Sequence, residues 1–210
     1  MPLILLNSPK PDSLLALWRV DESIEGLKEI LLNNKRADLM PTTLYKSNRR
    51  NLDWMAIRCA LSYMFKKEEM VDIRYDDAGK PYPVQAAGHL SISHSWPYVC
   101  IFYHATRAVG VDIEIMTDRI HRIAPKFINE DESRWLMPGD TRGHYLVWAA
   151  KESTFKMIGK TGIDFRRHFI VRPDSDGKMI IIYCRDAPEE FNIYYEFLDT
   201  MILVYTIANH

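Results

Sequence analysis

The sequence predicts an α+β protein of two pseudo-symmetric lobes, each a small antiparallel sheet packed with helices. Its 210 residues are 47% hydrophobic and 26% charged, which is enough apolar material for a packed core. Strand patterns surround one long helical pattern in each half of the chain, and the second half repeats the order of elements of the first. We therefore expect lobes over residues 1–104 and 105–210.

Charge, cysteine content and hydropathy exclude several classes of protein. The 27 Lys+Arg and 28 Asp+Glu leave a net charge of -1, so no overall positive field is available to bind a nucleic acid. The 3 cysteines have no CxxC spacing, which argues against a disulfide framework and a structural zinc site. Residues 1–7 lack the basic region of a signal peptide, and no later run is apolar enough to span a membrane. We expect a cytoplasmic protein.

The elements of the first half follow from local patterns. An apolar run predicts a buried strand, and a capping residue after it begins an amphipathic helix. A stretch without Gly or Pro predicts a second, largely buried helix, and two short β-prone runs surround a Trp-Pro turn. In order, these are a strand over 14–20, a helix capped by Asp21 or Ser23, a helix over 51–65, and strands over 90–93 and 98–103.

The second half repeats this order and ends in strands. Trp54 and Arg58 in the first long helix have the same four-residue spacing as Trp148 and Glu152 in the second, which indicates a degenerate internal repeat. The predicted elements are a strand over 109–115, a helix over 145–158, and strands over 180–183, 192–197 and 202–207.

The strand over 109–115 carries two acidic residues on one face. Its period of two places Asp112 and Glu114 together, with backbones about 6.6 Å apart at a rise of ~3.3 Å per residue. Two interpretations fit. Both carboxylates can converge on a hard cation such as Mg²⁺, or the strand simply has a solvated acidic face.

The helix over 145–158 has a charged arc and an apolar arc. The apolar arc is predicted to pack on the core, so the charged arc faces a cleft or solvent. Glu152 and Lys156 are neighbours there and could form an ordinary ion pair of ~0.3 kcal/mol. Large aromatic residues on the same arc argue against a merely solvated face. The residues of the charged arc are Trp148, Lys151, Glu152, Phe155, Lys156 and Gly159.

The segment 91–95, SISHS, combines three hydroxyls and an imidazole that can donate hydrogen bonds to phosphate oxygens. It is equally compatible with a polar turn. A nucleophilic triad is disfavoured because adjacent Ser and His side chains of one strand point to opposite faces. Scattered cations could hold a polyphosphate together or be solvated surface residues: Lys46, Arg49, Arg50 and Lys80.

Four motifs stand in one order: Gly79-Lys80-Pro81, Ser93-His94-Ser95, GVDIE at 110–114 and WAAKESTFK at 148–156. This combination resembles the 4'-phosphopantetheinyl transferases. It is most similar to the longer, two-lobed, surfactin-synthetase-activating type, and not to the short holo-acyl-carrier-protein synthase type that assembles as a trimer. The resemblance implies a monomer, because the repeat provides within one chain the interface that single-lobed relatives make between subunits.

The resemblance also implies an activity and a site. Such an enzyme transfers 4'-phosphopantetheine from coenzyme A to a serine of an apo acyl, peptidyl or polyketide carrier protein and releases adenosine 3',5'-bisphosphate. Asp112, Glu114 and Glu152 would be the ligands of Mg²⁺, or of Mn²⁺. Lys156 would stabilise or protonate the leaving phosphate. The C-terminal lobe would hold these residues, with the active site at the lobe interface.

The remaining roles are carried over by motif. The N-terminal lobe would contact the coenzyme A nucleotide through Arg49, Lys80, Ser93 and His94, with Lys156 also contacting the phosphates. The general base would be Glu152 itself, or Glu132 or Glu130 of the segment FINEDE.

Two other functions remain open at this point. One is a coenzyme A or carrier-binding protein without catalysis, which would bind coenzyme A but give no product. The other is a Mg²⁺-dependent nucleotide phosphohydrolase, which would release phosphate without any protein acceptor.

Overall fold

A computed structural model describes residues 3–41, 43–66, 68–69, 72–77, 79–84, 86–185 and 188–209. The chain divides into two compact units, Met1–Thr106 and Arg107–His210. Each contains antiparallel sheet packed with helices, which confirms the predicted α+β class. Within the described residues, no helix has the length and apolar character needed to cross a membrane.

The first unit is a four-stranded antiparallel sheet in the order β1-β2-β6-β5, with a separate β3-β4 hairpin. The predicted helix cap is Ser23, whose Oγ accepts a hydrogen bond from Gly26 N at 3.2 Å. Buried residues of both long helices pack on the sheet. The elements are β1 (Leu3–Asn7), β2 (Ser13–Arg19), α1 (Ile24–Asn33), a 3-10 turn (Ala37–Leu39), α2 (Asn48–Met64), β3 (Asp72–Tyr75), β4 (Pro81–Val84), β5 (His89–Ser95) and β6 (Tyr98–His104).

The second unit is a five-stranded antiparallel sheet in the order β7-β11-β10-β9-β8, with the long helix α5 packed on β7 and β11. Asp140 caps α5 by accepting a hydrogen bond from Gly143 N at 2.9 Å, and Gly159, with φ +66°, follows the last residue of the helix. The elements are β7 (Val109–Ile115), α3 (Ile120–Ile123), a 3-10 turn (Ala124–Lys126), α4 (Glu130–Ser133), α5 (Thr141–Ile158), α6 (Phe165–His168), β8 (Phe169–Pro173), β9 (Met179–Tyr183), β10 (Glu189–Leu198) and β11 (Met201–Ile207).

The predicted strands and long helices are confirmed in both units, with ends shifted by a few residues. The sequence reading missed β1, β3, β4 and β8. Both β3 and β4 are short, and β4 contains Pro81 and Pro83. Proline cannot donate a hydrogen bond to a sheet ladder, so a run with two prolines indicates a turn. Proline is tolerated in an edge strand, and both strands of a two-stranded hairpin are edge strands.

Candidate active site

Close packing of α5 on β7 creates the candidate site. A Cβ placed on Gly110 would lie 1.7 Å from the carbonyl oxygen of Ser153, which is far inside contact distance. Only glycine therefore allows the helix and the strand to approach this closely. The approach places the acidic face of β7 beside the charged residues in the second half of α5.

Asp112 and Lys156 form the centre of the site. Asp112 is only 4% exposed, and its Oδ1 lies 2.7 Å from Lys156 Nζ. The Lys156 ammonium also donates a hydrogen bond to the carbonyl oxygen of Val111 at 3.1 Å. The interpretation of this strand as having a solvated acidic face is therefore wrong for Asp112. Lys156 also contacts β7, so its interactions are not limited to an ion pair within its own helix.

Glu114 is held by an aromatic donor. The indole Nε1 of Trp148 donates a hydrogen bond to Glu114 Oε1 at 2.9 Å. The ring of Trp148 packs against Phe127 and Phe165, at centroid distances of 5.1 and 5.6 Å. These contacts explain why large aromatic residues lie on the charged arc of the helix, since one of them positions a carboxylate.

Glu152 interacts electrostatically with the other charged groups of the site. Burial raises its pKa from 4.5 to about 7, and the negative charges of Asp112 and Glu114 add to the rise while the Lys156 ammonium opposes it. The carboxylates of Asp112 and Glu114 therefore both act on the side chain of Glu152. Three acidic groups around one ammonium leave an excess of negative charge, which favours the binding of a cation.

The donor chemistry fits the divalent metal that the sequence motifs imply. Carboxylate oxygens are hard ligands of the kind that Mg²⁺ and Mn²⁺ prefer. A bound cation would offset the repulsion from Asp112 and Glu114 that helps to raise the pKa of Glu152. Among the described residues, no three His, Cys, Asp or Glu side chains are already gathered around one metal position.

The structure corrects the placement of Lys151. We predicted that it faces a cleft or solvent, but its side chain is 0% exposed and its Nζ lies 2.6 Å from Glu132 Oε1. The ammonium also donates to the carbonyl oxygens of Phe127 at 2.6 Å and Phe165 at 3.0 Å. Helical periodicity places Lys151 on the charged arc. Its ammonium is nevertheless buried, because a carboxylate and two carbonyl oxygens from distant segments pair with it.

Glu132 is equally buried. Its Oε1 accepts a hydrogen bond from Val171 N at 3.0 Å, and its Oε2 accepts one from Asn129 N at 2.9 Å, which completes a capping box at the start of α4. Burial raises the pKa of Glu132 and lowers that of Lys151, while their ion pair opposes both shifts. These contacts favour a structural role. Proton transfer by Glu132 stays a prediction, and so does the role of Glu130, which is exposed at the first position of α4.

The first unit brings Arg49 and His94 to one carboxylate. The Arg49 guanidinium lies 4.5 Å from the centre of the Trp96 ring, and its Nε is 3.7 Å from Asp53 Oδ2. Burial raises the pKa of Asp53, while the charges of His94 and Arg49 oppose the rise. His94 is exposed, so an imidazole and a guanidinium are available on this part of the first unit.

Lys80 and Ser93 have different surroundings in the same unit. Burial lowers the pKa of Lys80, and the charge of Asp76 opposes this shift. The pKa of His89 is also lowered, first by its own burial and to a smaller extent by the charge of Lys80. Ser93 is 6% exposed and pairs with Cys100 in the β5-β6 ladder.

Sequence reasoning missed two features of the site. Gly110 lies inside a strand, where glycine often marks a close approach of two backbones, so its position was an available signal. The sequence shows Trp148 as an aromatic residue of the charged arc, but its hydrogen bond to Glu114 follows only from the packing of α5 on β7. Nothing in the local sequence distinguishes Lys151 from the other polar residues of the arc.

Comparison with known families agrees with this geometry. Residues 108–200, which include β7 and α5, match the family model of the 4'-phosphopantetheinyl transferase superfamily. This match lies within the second unit and confirms the resemblance on which the motifs agree. The chain is 31% identical over 132 residues to the 4'-phosphopantetheinyl transferase gsp of Aneurinibacillus migulanus. This match covers 60% of the chain and 53% of the relative, so the chain spans about half the length of that protein.

Proposed function

We propose that the protein transfers the 4'-phosphopantetheine group of coenzyme A to a serine of an apo acyl, peptidyl or polyketide carrier protein. The observation that carries the proposal is the acidic cluster where α5 packs on β7: Asp112 lies 2.7 Å from Lys156, and Glu114 accepts a hydrogen bond from Trp148 at 2.9 Å. Asp112, Glu114 and Lys156 all act electrostatically on Glu152. The family match of the surrounding segment supports the same reaction. We further propose that the protein acts as a cytoplasmic monomer.

The three carboxylates are the proposed ligands of Mg²⁺, with Mn²⁺ as the second possible metal. When bound, the metal supplies positive charge to the diphosphate of coenzyme A, so that the phosphorus is more readily attacked. Trp148 orients Glu114 for this task through its hydrogen bond, and Gly110 permits the spacing of β7 and α5 on which all three ligands depend.

The reaction forms a bond between the serine oxygen and the β-phosphorus and breaks the bond from that phosphorus to the bridging oxygen. Glu152 is the proposed acceptor of the serine proton, because its carboxylate lies among the charged groups of the site. Lys156 stabilises or protonates the leaving oxygen of adenosine 3',5'-bisphosphate and can contact the phosphates before transfer. No nucleophile of the enzyme is required. Glu132 and Glu130 are the alternative bases.

Binding of the coenzyme A nucleotide is assigned to the first unit. Arg49 and His94 supply a guanidinium and an imidazole close to one another, and Lys80 and Ser93 supply an ammonium and a hydroxyl. Groups of these types donate hydrogen bonds to phosphate oxygens.

Intact-protein mass spectrometry of several apo carrier proteins tests the proposal. After incubation with the protein, coenzyme A and Mg²⁺, we expect a gain of one phosphopantetheine on at least one carrier and no gain with EDTA. Binding of coenzyme A without transfer to any carrier would instead indicate a binding protein. Release of phosphate from nucleotides without an acceptor would indicate a phosphohydrolase.

A further inference from the structure

Tyr145 connects the first half of α5 to the segment that leaves β7. It is only 6% exposed, and its hydroxyl oxygen accepts a hydrogen bond from the backbone N–H of Thr117 at 3.2 Å. The same hydroxyl lies 3.3 Å from Thr117 Oγ1, so the two hydroxyl groups share a second hydrogen bond. One buried phenol therefore holds the chain two residues beyond Ile115, the last residue of β7.

This connection is one of a series along α5. Three side chains within an arc of about 80° on the helix contact β7 and its exit in reverse chain order. From the first to the last of them the helix rises about 16.5 Å at ~1.5 Å per residue, and an extended chain between their partners covers about 16.5 Å at ~3.3 Å per residue. Because these lengths match, both ends of the strand can be held against the helix at once. The pairs are Tyr145 with Thr117, Trp148 with Glu114, and Lys156 with Asp112.

Glu114 lies between the two ends of this series. At one end, the close approach at Gly110 and the contacts of Lys156 fix β7 against α5. At the other end, Tyr145 does so through its hydroxyl. The hydrogen bond of 2.9 Å from Trp148 to Glu114 requires strand and helix to stay in this register, because a shift by one residue would turn the carboxylate to the opposite face of the strand.

We propose that Tyr145 is a positioning residue for the metal site, whose hydroxyl holds the exit of β7 at the height on α5 where Glu114 meets Trp148. This inference rests on the proposed function, in which Glu114 is a ligand of Mg²⁺ or Mn²⁺. Tyr145 acts through the backbone and hydroxyl of Thr117 and does not bind the metal itself. A carboxylate that is already held in place loses less conformational freedom when a cation binds.

The test is Tyr145→Phe, which keeps the ring and removes only the hydroxyl. Nuclear magnetic resonance of the metal-free protein measures hydrogen exchange of the Trp148 indole N–H, the group that donates to Glu114. We expect this exchange to become at least about tenfold faster, because the strand that carries the acceptor is no longer held at its exit. The indole of Trp135, which is also half-buried and donates to the carbonyl oxygen of Val171, is the control within the same spectrum and should change less than about twofold.

Tyr183→Phe is the matched control variant. Tyr183 is 2% exposed in the same core, and within the described residues its hydroxyl has no hydrogen-bond partner. Removal of this hydroxyl should therefore leave the exchange of both indoles within about twofold of the wild type. Thr117→Val removes the side-chain partner of Tyr145 but keeps the backbone N–H, so we expect a smaller increase at Trp148. Combined with Tyr145→Phe it should add nothing further, because the two residues act through one contact.

Calorimetry with Mn²⁺ alone supplies the second measurement. We expect Tyr145→Phe to weaken the affinity about tenfold, the lower end of the range for outer contacts of metal ligands, and Tyr183→Phe to leave it within about twofold.

The outcomes separate this inference from the proposed function. Unchanged exchange at Trp148 overturns the inference, and so does an equal increase at Trp148 and Trp135, which would mean that Tyr145 only stabilises the fold. Unchanged Mn²⁺ affinity in Tyr145→Phe, or a wild type that binds no Mn²⁺, overturns it as well, even if carriers are modified. If no carrier is modified but exchange and affinity respond as expected, the positioning role stands and the proposed transfer is wrong.

Discussion

Two lysines of one helix have opposite electrostatic surroundings. Lys151 is 0% exposed and is matched by one carboxylate, Glu132 at 2.6 Å, and by two backbone carbonyls. Lys156, five residues later, is 26% exposed and binds Asp112 at 2.7 Å in a cluster that also includes Glu114 and Glu152. The first surrounding is balanced in charge, and the second has an excess of negative charge.

The difference separates a structural ion pair from a reactive site. In the pair of Lys151 and Glu132, both carboxylate oxygens and the ammonium have partners, so the pair links α5 to α4 and to the middle of β8. In the cluster around Lys156, burial and mutual repulsion raise the pKa of Glu152 to about 7. Charge repulsion that lowers the stability of a fold is retained where it serves binding or catalysis.

Removal of the structural lysine should have the largest effect. Lys151→Met leaves the Glu132 carboxylate buried without its cation, and we expect the free energy of unfolding to fall by about 3–5 kcal/mol, as for other broken buried pairs. Urea denaturation followed by circular dichroism measures the loss. Lys178→Met, at an exposed position, should change stability by less than about 0.5 kcal/mol.

A rescue variant makes this prediction specific. Glu132→Gln in the Lys151→Met background removes the unpaired charge and keeps an oxygen acceptor for one of the two N–H groups, of Asn129 or Val171, while its NH2 faces the other. We expect it to recover part of the lost stability. If the single variant is as stable as the wild type, the pair is not the link that its contacts indicate.

Neutralising Glu152 tests the other member of the comparison. Glu152→Gln keeps the shape of the side chain but removes a metal ligand and proton acceptor, so we expect transfer to fall by about 10²–10³-fold or more with the fold intact. Mass spectrometry of the carrier gives the rate. Glu189→Gln, exposed on β10 of the same unit, is the control. Unchanged turnover in Glu152→Gln would contradict the proposed ligand set.

The same variant should be more stable than the wild type at alkaline pH. The pKa of Glu152 is raised from 4.5 to about 7, so between these values the native state holds a proton that the unfolded state has lost. Wild-type stability therefore falls as pH rises through this window, whereas Gln does not titrate. Without metal at pH 8, we expect Glu152→Gln to gain about 1–3 kcal/mol, allowing for partial exposure.

Denaturation curves at pH 4.5 and pH 8 check this sign. The difference in stability between the two proteins should be smallest at the lower pH, where Glu152 is protonated in the native state and half protonated in the unfolded state, and should grow above it. Added Mg²⁺ should stabilise the wild type at pH 8 and the variant much less. A gap that is the same at both pH values would show that the cluster does not raise the pKa of Glu152.

The two lysines also show how far the sequence leads. Asp112 and Glu114 share a face through the period of a strand, and Glu152 and Lys156 share an arc through the period of a helix, so local rules indicated these residues. Burial of Lys151 could not be predicted in this way. Its partners come from segments far along the chain, and only tertiary packing brings their carbonyls and carboxylate to the ammonium.

The smallest expected effect concerns the orientation of a ligand. Trp148→Phe keeps the aromatic packing against Phe127 and Phe165 but removes the N–H that donates to Glu114. Loss of such an outer hydrogen bond typically lowers metal affinity or activity by about 10–100-fold, and we expect the lower end. Transfer rates measured over a Mg²⁺ titration should show a higher half-saturating metal concentration. Trp135→Phe is matched, because its indole donates to the carbonyl oxygen of Val171 instead. Equal metal dependence in both variants would mean that Trp148 only fills space.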